Sequence, residues 1–244
     1  MATLHDSDQG SNDASGTTLA APAIDITTGD LIVVLVKYEG AVDASASVTF
    51  NQTVTDTGSS ANKANANGDL NARLFYARAT TTGTIVATMN TPGSRPFRIT
   101  HVYSLTPAGG TVLNFDVEAV AGEGNTAAPT TSAASVSAAG AAVAGFGYYN
   151  SKDTSAGTGW TVLPGLTTSA AGSEYRFPTG AGSITGDCTI IGASPWAAVM
   201  LAFKQESAGG GGQVNARNGI ALSGISAING IAKSSISHIN GLTI

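Results

Sequence analysis

Asp116 and Glu118 are the residues whose spacing could support acid–base catalysis. They lie two positions apart in 112–120, where alternating polarity predicts a strand that turns both carboxylates to one face, as in a glycoside hydrolase. The same alternation is typical of the solvated face of an antiparallel strand. We favour the solvated face, because an antiparallel strand shows this alternation without any catalytic role. No HExxH, GxSxG or GxxxxGK(S/T) motif occurs, so zinc proteolysis, the hydrolase nucleophile elbow and nucleotide hydrolysis each lack their characteristic motif. The sequence therefore predicts a protein that is not an enzyme.

Few residues could ligate a metal ion. The three histidines, His5, His101 and His238, are far apart in sequence, and the apolar neighbours of His101 predict a core histidine whose ring is hydrogen-bonded. Cys188 is the single cysteine, so no internal disulfide can form, and the Thr-Ile-Ile that follows it indicates a buried structural thiol. We expect neither a metal nor another cofactor. Three loop aspartates match no calcium-binding spacing and are expected to form turns: Asp43, Asp56 and Asp69.

Aromatic residues near predicted loops are the candidates for recognition. Tyr148 and Tyr149 end a predicted strand beside the polar residues 150–153, and Trp160 begins another strand. These rings could stack on a sugar or fill a protein interface. Glu-Tyr-Arg at 174–176 fits either a ligand contact or the charged pattern that protects an exposed edge strand, and we favour the edge strand.

The chain is predicted to consist of many short strands. Of its 244 residues 42% are hydrophobic, only 11% are charged and 31 are glycine, which suits strands and turns better than long amphipathic helices. The apolar run 31–36 predicts a central strand covered on both faces, and 70–79 with 83–89 predicts a hairpin. Roughly ten to twelve such strands indicate an all-β fold, a jelly-roll-like antiparallel β-sandwich.

Two later segments alternate in polarity and predict strands with one face toward the core. In 97–105 the core face is expected to carry Phe97, Ile99, Tyr103 and Leu105, and the outer face Arg98, Thr100 and Ser104. In 112–120 the residues expected to point inward are Leu113, Phe115 and Val117.

Composition divides the chain into four parts. Residues 1–16 are polar and predict an N-terminal arm with little structure of its own, and 17–206 hold the sandwich. Residues 207–217 begin Ser-Ala-Gly-Gly-Gly-Gly, which is typical of a flexible linker. Residues 218–244 form a repeat tail.

The tail repeats every 11 residues, with an Asn-Gly-apolar triplet at 218–220, 229–231 and 240–242. Because Asn-Gly is a strong turn dipeptide, we expect short β segments joined by these turns. A right-handed helical supercoil and a disordered tail are the alternatives. So short a repeat buries its aliphatic residues only against other copies or a partner, which predicts a role in oligomerisation or docking. The expected assembly residues are Ile220, Ile225, Ile228, Ile231, Ile236, Ile239, Leu242 and Ile244.

Charge and hydropathy argue against two classes of partner. The net charge of −5, with 11 Lys and Arg, leaves no basic stripe for nucleic acid. No apolar run approaches the ~20 residues of a membrane span. The first residues show no secretion signal, so we expect a protein made in a cytoplasm and not exported by a cleaved signal.

Three stretches of the sandwich look familiar together: Thr-Thr-Gly-Asp-Leu-Ile-Val-Val at 27–34, Val-Thr-Asp-Thr at 54–57 and Pro-Trp-Ala-Ala-Val-Met-Leu-Ala-Phe-Lys at 195–204. Their layout resembles jelly-roll domains of structural proteins of tailed bacteriophages and of some bacterial surface proteins. The tail, which ends Ile-Asn-Gly-Leu-Thr-Ile at 239–244, likewise resembles the C-termini of phage fibre or head-decoration proteins. The resemblance implies a virion component of head-decoration or fibre type, often trimeric, on the capsid or tail surface. Its partner would be the major capsid protein or a tail protein. The alternative is a carbohydrate-binding adhesin that attaches the virion to host glycans.

Overall fold

The structure is a computed structural model that describes residues 1–40, 46–65, 69–149, 154–163 and 170–208, together with six two-residue strands of the tail. At 120–122 and in the tail only the backbone is described. The described residues form antiparallel strands and turns, so the predicted all-β class is confirmed. The chain divides into two compact units, Met1–Gln205 and Glu206–Ile244. The described part contains no helix long and apolar enough to cross a membrane.

The strands of the first unit fall into two sequential halves. The first half contains β1 (Thr3–Asn12), β2 (Gly16–Ala20), β3 (Ile24–Ile26), β4 (Leu31–Glu39), β5 (Ser47–Phe50), β6 (Val54–Ser59), β7 (Lys63–Asn65), β8 (Leu70–Ala79), β9 (Gly83–Ile85), β10 (Ala87–Arg95) and β11 (Arg98–Thr106). The second half contains β12 (Thr111–Thr126), β13 (Ala134–Val136), β14 (Gly140–Tyr148), β15 (Thr154–Ala156), β16 (Thr161–Val162), β17 (Ala171–Arg176), β18 (Gly182–Ile184), β19 (Cys188–Ile190) and β20 (Ser194–Ser207).

Both halves have the same strand order. The large sheet of the first half runs β1-β11-β4-β8-β6, with β7 also beside β8, and that of the second half runs β12-β20-β14-β17-β16. In each, the first and last long strands of the half lie side by side, as they do in a jelly roll. The smaller pairs match as well, since β3–β9 corresponds to β13–β18 and β5–β10 to β15–β19. The jelly-roll sandwich predicted from sequence is confirmed, and it occurs twice.

The register of the strand pairs repeats between the halves. Gly-Thr-Ile at 83–85 pairs with β3 in the register in which Gly-Ser-Ile at 182–184 pairs with β13. In each half a tyrosine of the preceding long strand lies the same number of residues before this glycine: Tyr76 in β8 and Tyr175 in β17. The two halves therefore share one structural pattern.

β4 shows how the apolar run 31–36 produces a central strand. It lies between β11 and β8, and the residues from Leu31 to Tyr38 are all buried. Because side chains alternate along a strand, Leu31, Val33 and Leu35 enter one hydrophobic cluster, while the residues between them enter another. Each fully buried aliphatic side chain contributes about 1.5–3 kcal/mol. The prediction of a strand covered on both faces is confirmed.

Three hydrophobic clusters lie between the packed sheets. The middle cluster, which we call the inter-sheet cluster, joins the two large sheets and takes residues from both halves, among them Leu35 and Leu201. A second cluster lies within the first half and a third within the second half, each between a large sheet and its small pairs. The large sheets approach closely at Gly145, where a Cβ atom would come within 2.7 Å of Leu35 Cδ1.

The outer face predicted for 97–105 is buried, which corrects that prediction. Arg98 is 3% exposed, and Thr100 and Ser104 are fully buried. Each hydroxyl donates to a backbone carbonyl of β2 or β3 at 3.0 Å, and the guanidinium donates to the carbonyl oxygens of Ala14 and Thr18. The polar side chains of β11 therefore donate hydrogen bonds to β2, to β3 and to the residue Ala14 before β2. These hydrogen bonds compensate for the loss of contact with solvent.

Two predictions about chain connections are wrong. Residues 1–16 are not an arm with little structure, because β1 pairs with β11 along Thr3–Asn12 and forms one side of the large sheet. The segments 70–79 and 83–89 do not form a hairpin, since β9 pairs with β3, and β10 pairs with β2 and β5. After β8 the chain leaves the large sheet, and β9 and β10 join the smaller groups of strands. Because the alternation of polarity is the same in both arrangements, the sequence pattern does not distinguish this path from a hairpin.

Positions near the edges also differ from expectation. Glu-Tyr-Arg at 174–176 is not in an edge strand, because β17 lies between β14 and β16. Phe97 and Phe115, both predicted to face the core, are 46% and 43% exposed. Leu113 is fully buried as predicted, and Val117 is partly buried against the core of the second half.

Candidate functional site

Among the described residues of the tail are three short antiparallel strand pairs of identical layout, which we call the tail hairpins. β21 (Ala216–Arg217) pairs with β22 (Ile220–Ala221), β23 (Ala227–Ile228) with β24 (Ile231–Ala232), and β25 (His238–Ile239) with β26 (Leu242–Thr243). In each hairpin the strands are separated by the two residues Asn-Gly of the sequence. The residues that flank them are opposed: Arg217 and Ile220, Ile228 and Ile231, Ile239 and Leu242.

Parts of the predicted tail and linker lie outside the described residues. These include Ile225, Ile236 and Ile244 of the assembly set and 209–215 of the glycine-rich linker. Ala216–Arg217, which the sequence placed at the end of the linker, belong to β21.

Two of the three predicted recognition residues are core residues. Tyr148 is fully buried and Trp160 is 7% exposed, and both pack in the cluster of the second half. Trp160 Nε1 donates to a backbone carbonyl at 2.9 Å. Tyr149 is half-buried, and burial together with the charges of Glu39 and Asp69 raises the pKa of its hydroxyl. Tyr148 and Trp160 are therefore not exposed to a sugar or a protein partner, because the small strand pairs cover this end of β14.

A cleft beside β6 holds exposed groups that sequence reasoning missed. β6 bulges between Thr55 and Gly58, and Asp56 inside the bulge has a φ of 50°, a left-handed conformation that Asp adopts more readily than most residues. The adjacent cavity, which we call the β6 cleft, has a volume of about 190 Å³. It is lined by Leu31, Asp56, Thr57, Tyr76, Arg78, Leu113, Asn114 and Phe115.

One wall of the β6 cleft is aromatic. The rings of Phe115 and Tyr76 are stacked, with centroids 5.8 Å apart and planes 1° from parallel. Both rings meet Phe203 edge-on, with centroid distances of 6.4 Å and 5.2 Å. Tyr76 lies directly over Gly58, where a Cβ atom would come within 2.3 Å of the Tyr76 hydroxyl. Glycine at 58 therefore permits the ring position that supports Phe115.

The other wall is polar and links three strands. Arg78 on β8 donates from Nε to Asp56 Oδ2 at 2.6 Å, and from Nη2 to Leu113 O at 2.9 Å and Asn114 Oδ1 at 3.1 Å. The Arg78 side chain is 13% exposed and that of Asp56 is 64% exposed. These bonds fix the guanidinium, while the carboxylate remains open to solvent. In sequence, the only local sign of this site is Asp-Thr-Gly at 56–58, which also fits an ordinary turn.

The acidic pair Asp116 and Glu118 does not form a shared site. Asp116 accepts hydrogen bonds from the backbone N and the hydroxyl of Ser137, both at 2.6 Å. Glu118 Oε2 accepts from Ala61 N at 3.2 Å. Each carboxylate therefore ties β12 to a different segment of the fold.

Asp30 gives the Thr-Thr-Gly-Asp motif at 27–30 a structural role, because its carboxylate bonds three segments of the first half. Its Oδ2 accepts from Thr27 N at 2.8 Å and lies 2.7 Å from His5 Nδ1, and its Oδ1 accepts from Thr106 Oγ1 at 2.8 Å. Gly29 has a φ of 93°, which favours glycine in this turn. The motif therefore joins β1, β4 and the end of β11.

Glu174 and Cys188 form a buried pair of titratable groups in the second half. Glu174 is 1% exposed and accepts hydrogen bonds from Gly157 N at 3.0 Å and Asp187 N at 2.9 Å. Burial raises its pKa to about 8, against the effect of those two bonds, and the Asp187 charge adds to the rise. Burial, then the charges of Glu174 and Asp187, raise the pKa of the Cys188 thiol well above its usual range. The predicted buried structural thiol is confirmed.

His101 lies in the core, but its predicted hydrogen bonding is wrong. The ring is fully buried and 5.3 Å from the ring of Tyr103, and neither of its nitrogens has a hydrogen-bond partner among the described residues. Burial lowers the pKa of His101 to about 3. The imidazole is therefore neutral at physiological pH.

Within the described ranges, no three His, Cys, Asp or Glu side chains are grouped so that they could hold a metal ion. Asp56 and Asp69 both have left-handed backbone conformations, and Asp43 lies outside the described residues.

No protein-family model, curated protein or solved structure matches the chain.

Proposed function

We propose that the chain is a non-enzymatic structural protein of a tailed-bacteriophage virion, a capsid decoration or a fibre or spike component. It displays the double sandwich of residues 1–205 and assembles through the tail. The observation that supports this proposal is the threefold repetition of one hairpin register, with aliphatic residues opposed across the Asn-Gly pair in the second and third hairpins.

Hairpins this short need a partner. An isolated two-stranded hairpin is marginally stable at best in water, and each hairpin of the tail has only two residues per strand. Opposed residues of an antiparallel pair project to the same face. Covering such faces with other copies contributes roughly 1.5–3 kcal/mol for each isoleucine before the entropic cost of association.

The assembly that fits a repeating lattice is a homo-oligomer, with a trimer favoured. Clustering of copies adds avidity for a repeating surface such as a major capsid protein or a tail protein. The proposed location is the capsid or tail surface of the virion.

Light scattering after size exclusion tests the proposal, on the full chain and on residues 1–206. We expect the full chain to be trimeric and the truncated chain to be monomeric. Ile228→Asp with Ile239→Asp should likewise give monomers with a folded sandwich. The matched control is Ser223→Asp with Ser234→Asp, which adds the same charges at polar positions of the same repeats. An oligomer that survives truncation, or that is lost equally in the control, would refute assembly through the isoleucines.

The alternative, an adhesin that binds host glycans through Tyr148, Tyr149 and Trp160, has weaker support. Tyr148 and Trp160 are buried, and only Tyr149 retains partial exposure. Any glycan contact by this chain would therefore need other aromatic residues.

A further inference from the structure

We propose that the β6 cleft is a binding site for a neutral saccharide, formed by the Phe115 ring, the Asp56 carboxylate and the Asn114 amide. This inference does not depend on assembly through the tail. It assigns a ligand class to an exposed carboxylate and a partly exposed aromatic ring that line one cleft.

The aromatic wall supplies the apolar half of saccharide recognition. Phe115 is 43% exposed although it is a large apolar side chain on a strand that also contributes to the core. Its ring is oriented by the parallel stack on Tyr76 and the edge-on contact with Phe203. The C–H face of a pyranose packs against such a fixed ring with little loss of side-chain entropy.

The polar wall supplies the other half and determines the charge of the ligand. Asp56 Oδ2 and Asn114 Oδ1 both accept hydrogen bonds from Arg78. An ionised carboxylate accepts at two oxygens, so a hydroxyl group of the ligand would donate to Asp56 Oδ1. Asp56 is 64% exposed and is oriented by Arg78 at 2.6 Å. Because the guanidinium and the carboxylate neutralise each other, the β6 cleft carries no unpaired cation that would favour an anion. A neutral polyol is therefore the better fit.

Comparison of the two halves shows that the fold itself does not require this polar wall. Tyr76 corresponds to Tyr175, and two residues further on Arg78 corresponds to Phe177. Tyr175 and Phe177 form an aromatic contact with centroids 5.4 Å apart, so the same strand position can be filled by apolar packing alone. The first half instead carries an arginine that holds an exposed carboxylate in a bulge with left-handed backbone.

The available space suits a ligand of more than one sugar ring. A second cavity of about 340 Å³ shares Thr57 and Tyr76 with the β6 cleft and is also lined by Phe50 and Phe75. The β6 cleft itself, at about 190 Å³, is smaller than the ~300 Å³ of pockets for drug-sized ligands. We therefore expect a disaccharide to bind more tightly than either of its component sugars.

Saturation-transfer NMR on the full chain tests the proposal, with glucose, galactose, mannose, N-acetylglucosamine and their disaccharides as probes at millimolar concentration. At least one probe should receive saturation from the protein. Phe115→Ala should weaken its binding at least about tenfold, through loss of the stacking surface. Asp56→Asn should weaken it as well, and asparagine also adopts the left-handed conformation of the bulge. Ile191→Ala removes a 64% exposed side chain of the second half and should leave binding unchanged.

Two results would overturn the assignment. One is the absence of saturation transfer to every probe, and the other is binding that neither cleft variant changes. Thermal unfolding of each variant shows whether it is folded. If Phe115→Ala is unfolded because it removes a core-supporting stack, Asp56→Asn alone decides, since it preserves the aromatic wall.

Discussion

Replacing Glu174 with glutamine should flatten the dependence of stability on pH in the neutral range. The carboxyl is 1% exposed, and burial raises its pKa from 4.5 to about 8, although Gly157 N and Asp187 N donate hydrogen bonds to it. One pKa unit corresponds to 1.36 kcal/mol of differential interaction. Ionisation of Glu174 therefore costs the folded state about 4–5 kcal/mol in all.

The sign and the pH window follow from the direction of the shift. Because the folded-state pKa is raised, the stabilising contribution of protonated Glu174 is fully present below pH 4.5 and is lost as the pH rises to about 8. His101 acts in the opposite direction: its pKa is lowered from 6.5 to about 3, so its contribution is present above pH 6.5 and is lost as the pH falls toward 3. Between pH 6.5 and 8 Glu174 lowers the stability by about 1.5 kcal/mol, and the end of the His101 titration in the unfolded state offsets roughly 0.4 kcal/mol of that loss.

Urea unfolding of the full chain at pH 6.5, 7 and 8 measures this decline. The wild-type protein should lose about 1 kcal/mol across the window, and Glu174→Gln should show no loss. At pH 6.5 the variant should be less stable by about 1–3 kcal/mol, because the amide presents a donor to one of the two backbone N–H groups. Glu118→Gln, at an exposed carboxylate, is the control and should keep the wild-type slope. Equal slopes in wild type and Glu174→Gln would refute the reasoning.

Two further substitutions test the core. His101→Phe replaces a buried ring whose nitrogens have no partner among the described residues. Urea unfolding should show a smaller loss of stability between pH 6.5 and 4 in this variant than in the wild-type protein, because the histidine that must be protonated on unfolding is gone. An equal loss of stability in both proteins would contradict the contribution of His101. Gly145→Val should cost about 1–3 kcal/mol, because its Cβ meets Leu35 Cδ1 at 2.7 Å. Gly180→Val, where a Cβ meets nothing within 4 Å, should cost less than about 0.5 kcal/mol, and equal losses in thermal or urea unfolding would contradict the close approach of the large sheets.

Local patterns were sufficient to predict individual strands. The run 31–36 predicted a strand with two buried faces because six consecutive apolar residues can be covered only from both sides. Cys188 was predicted to be buried from its apolar neighbours, and it is. The duplicated order of the strands was not predicted, because the halves share few residues beyond Gly-Thr-Ile, Gly-Ser-Ile and the tyrosines that precede them.

Pairing partners and burial of polar faces depended on contacts between distant segments. Thr100 and Ser104 have the alternation of a solvated face, and they are buried because β2 and β3 present carbonyl groups to them. Tyr148 stands beside a polar stretch in sequence, and it is buried because small strand pairs from later in the chain cover β14. The alternation of polarity along a strand indicates to which face of the sheet a side chain points. It does not indicate which segment packs against that face.

The sequence by itself determined the all-β class, the central position of β4 and the 11-residue spacing of the Asn-Gly pairs, because turn chemistry and side-chain alternation act over a few residues. Only the tertiary structure decided that two jelly rolls pack through a shared cluster and that Asp56, Arg78 and Asn114 meet beside Phe115. Those residues come from three strands separated by long stretches of chain. Their contact follows from how the two sheets pack against each other, and no local period records that packing.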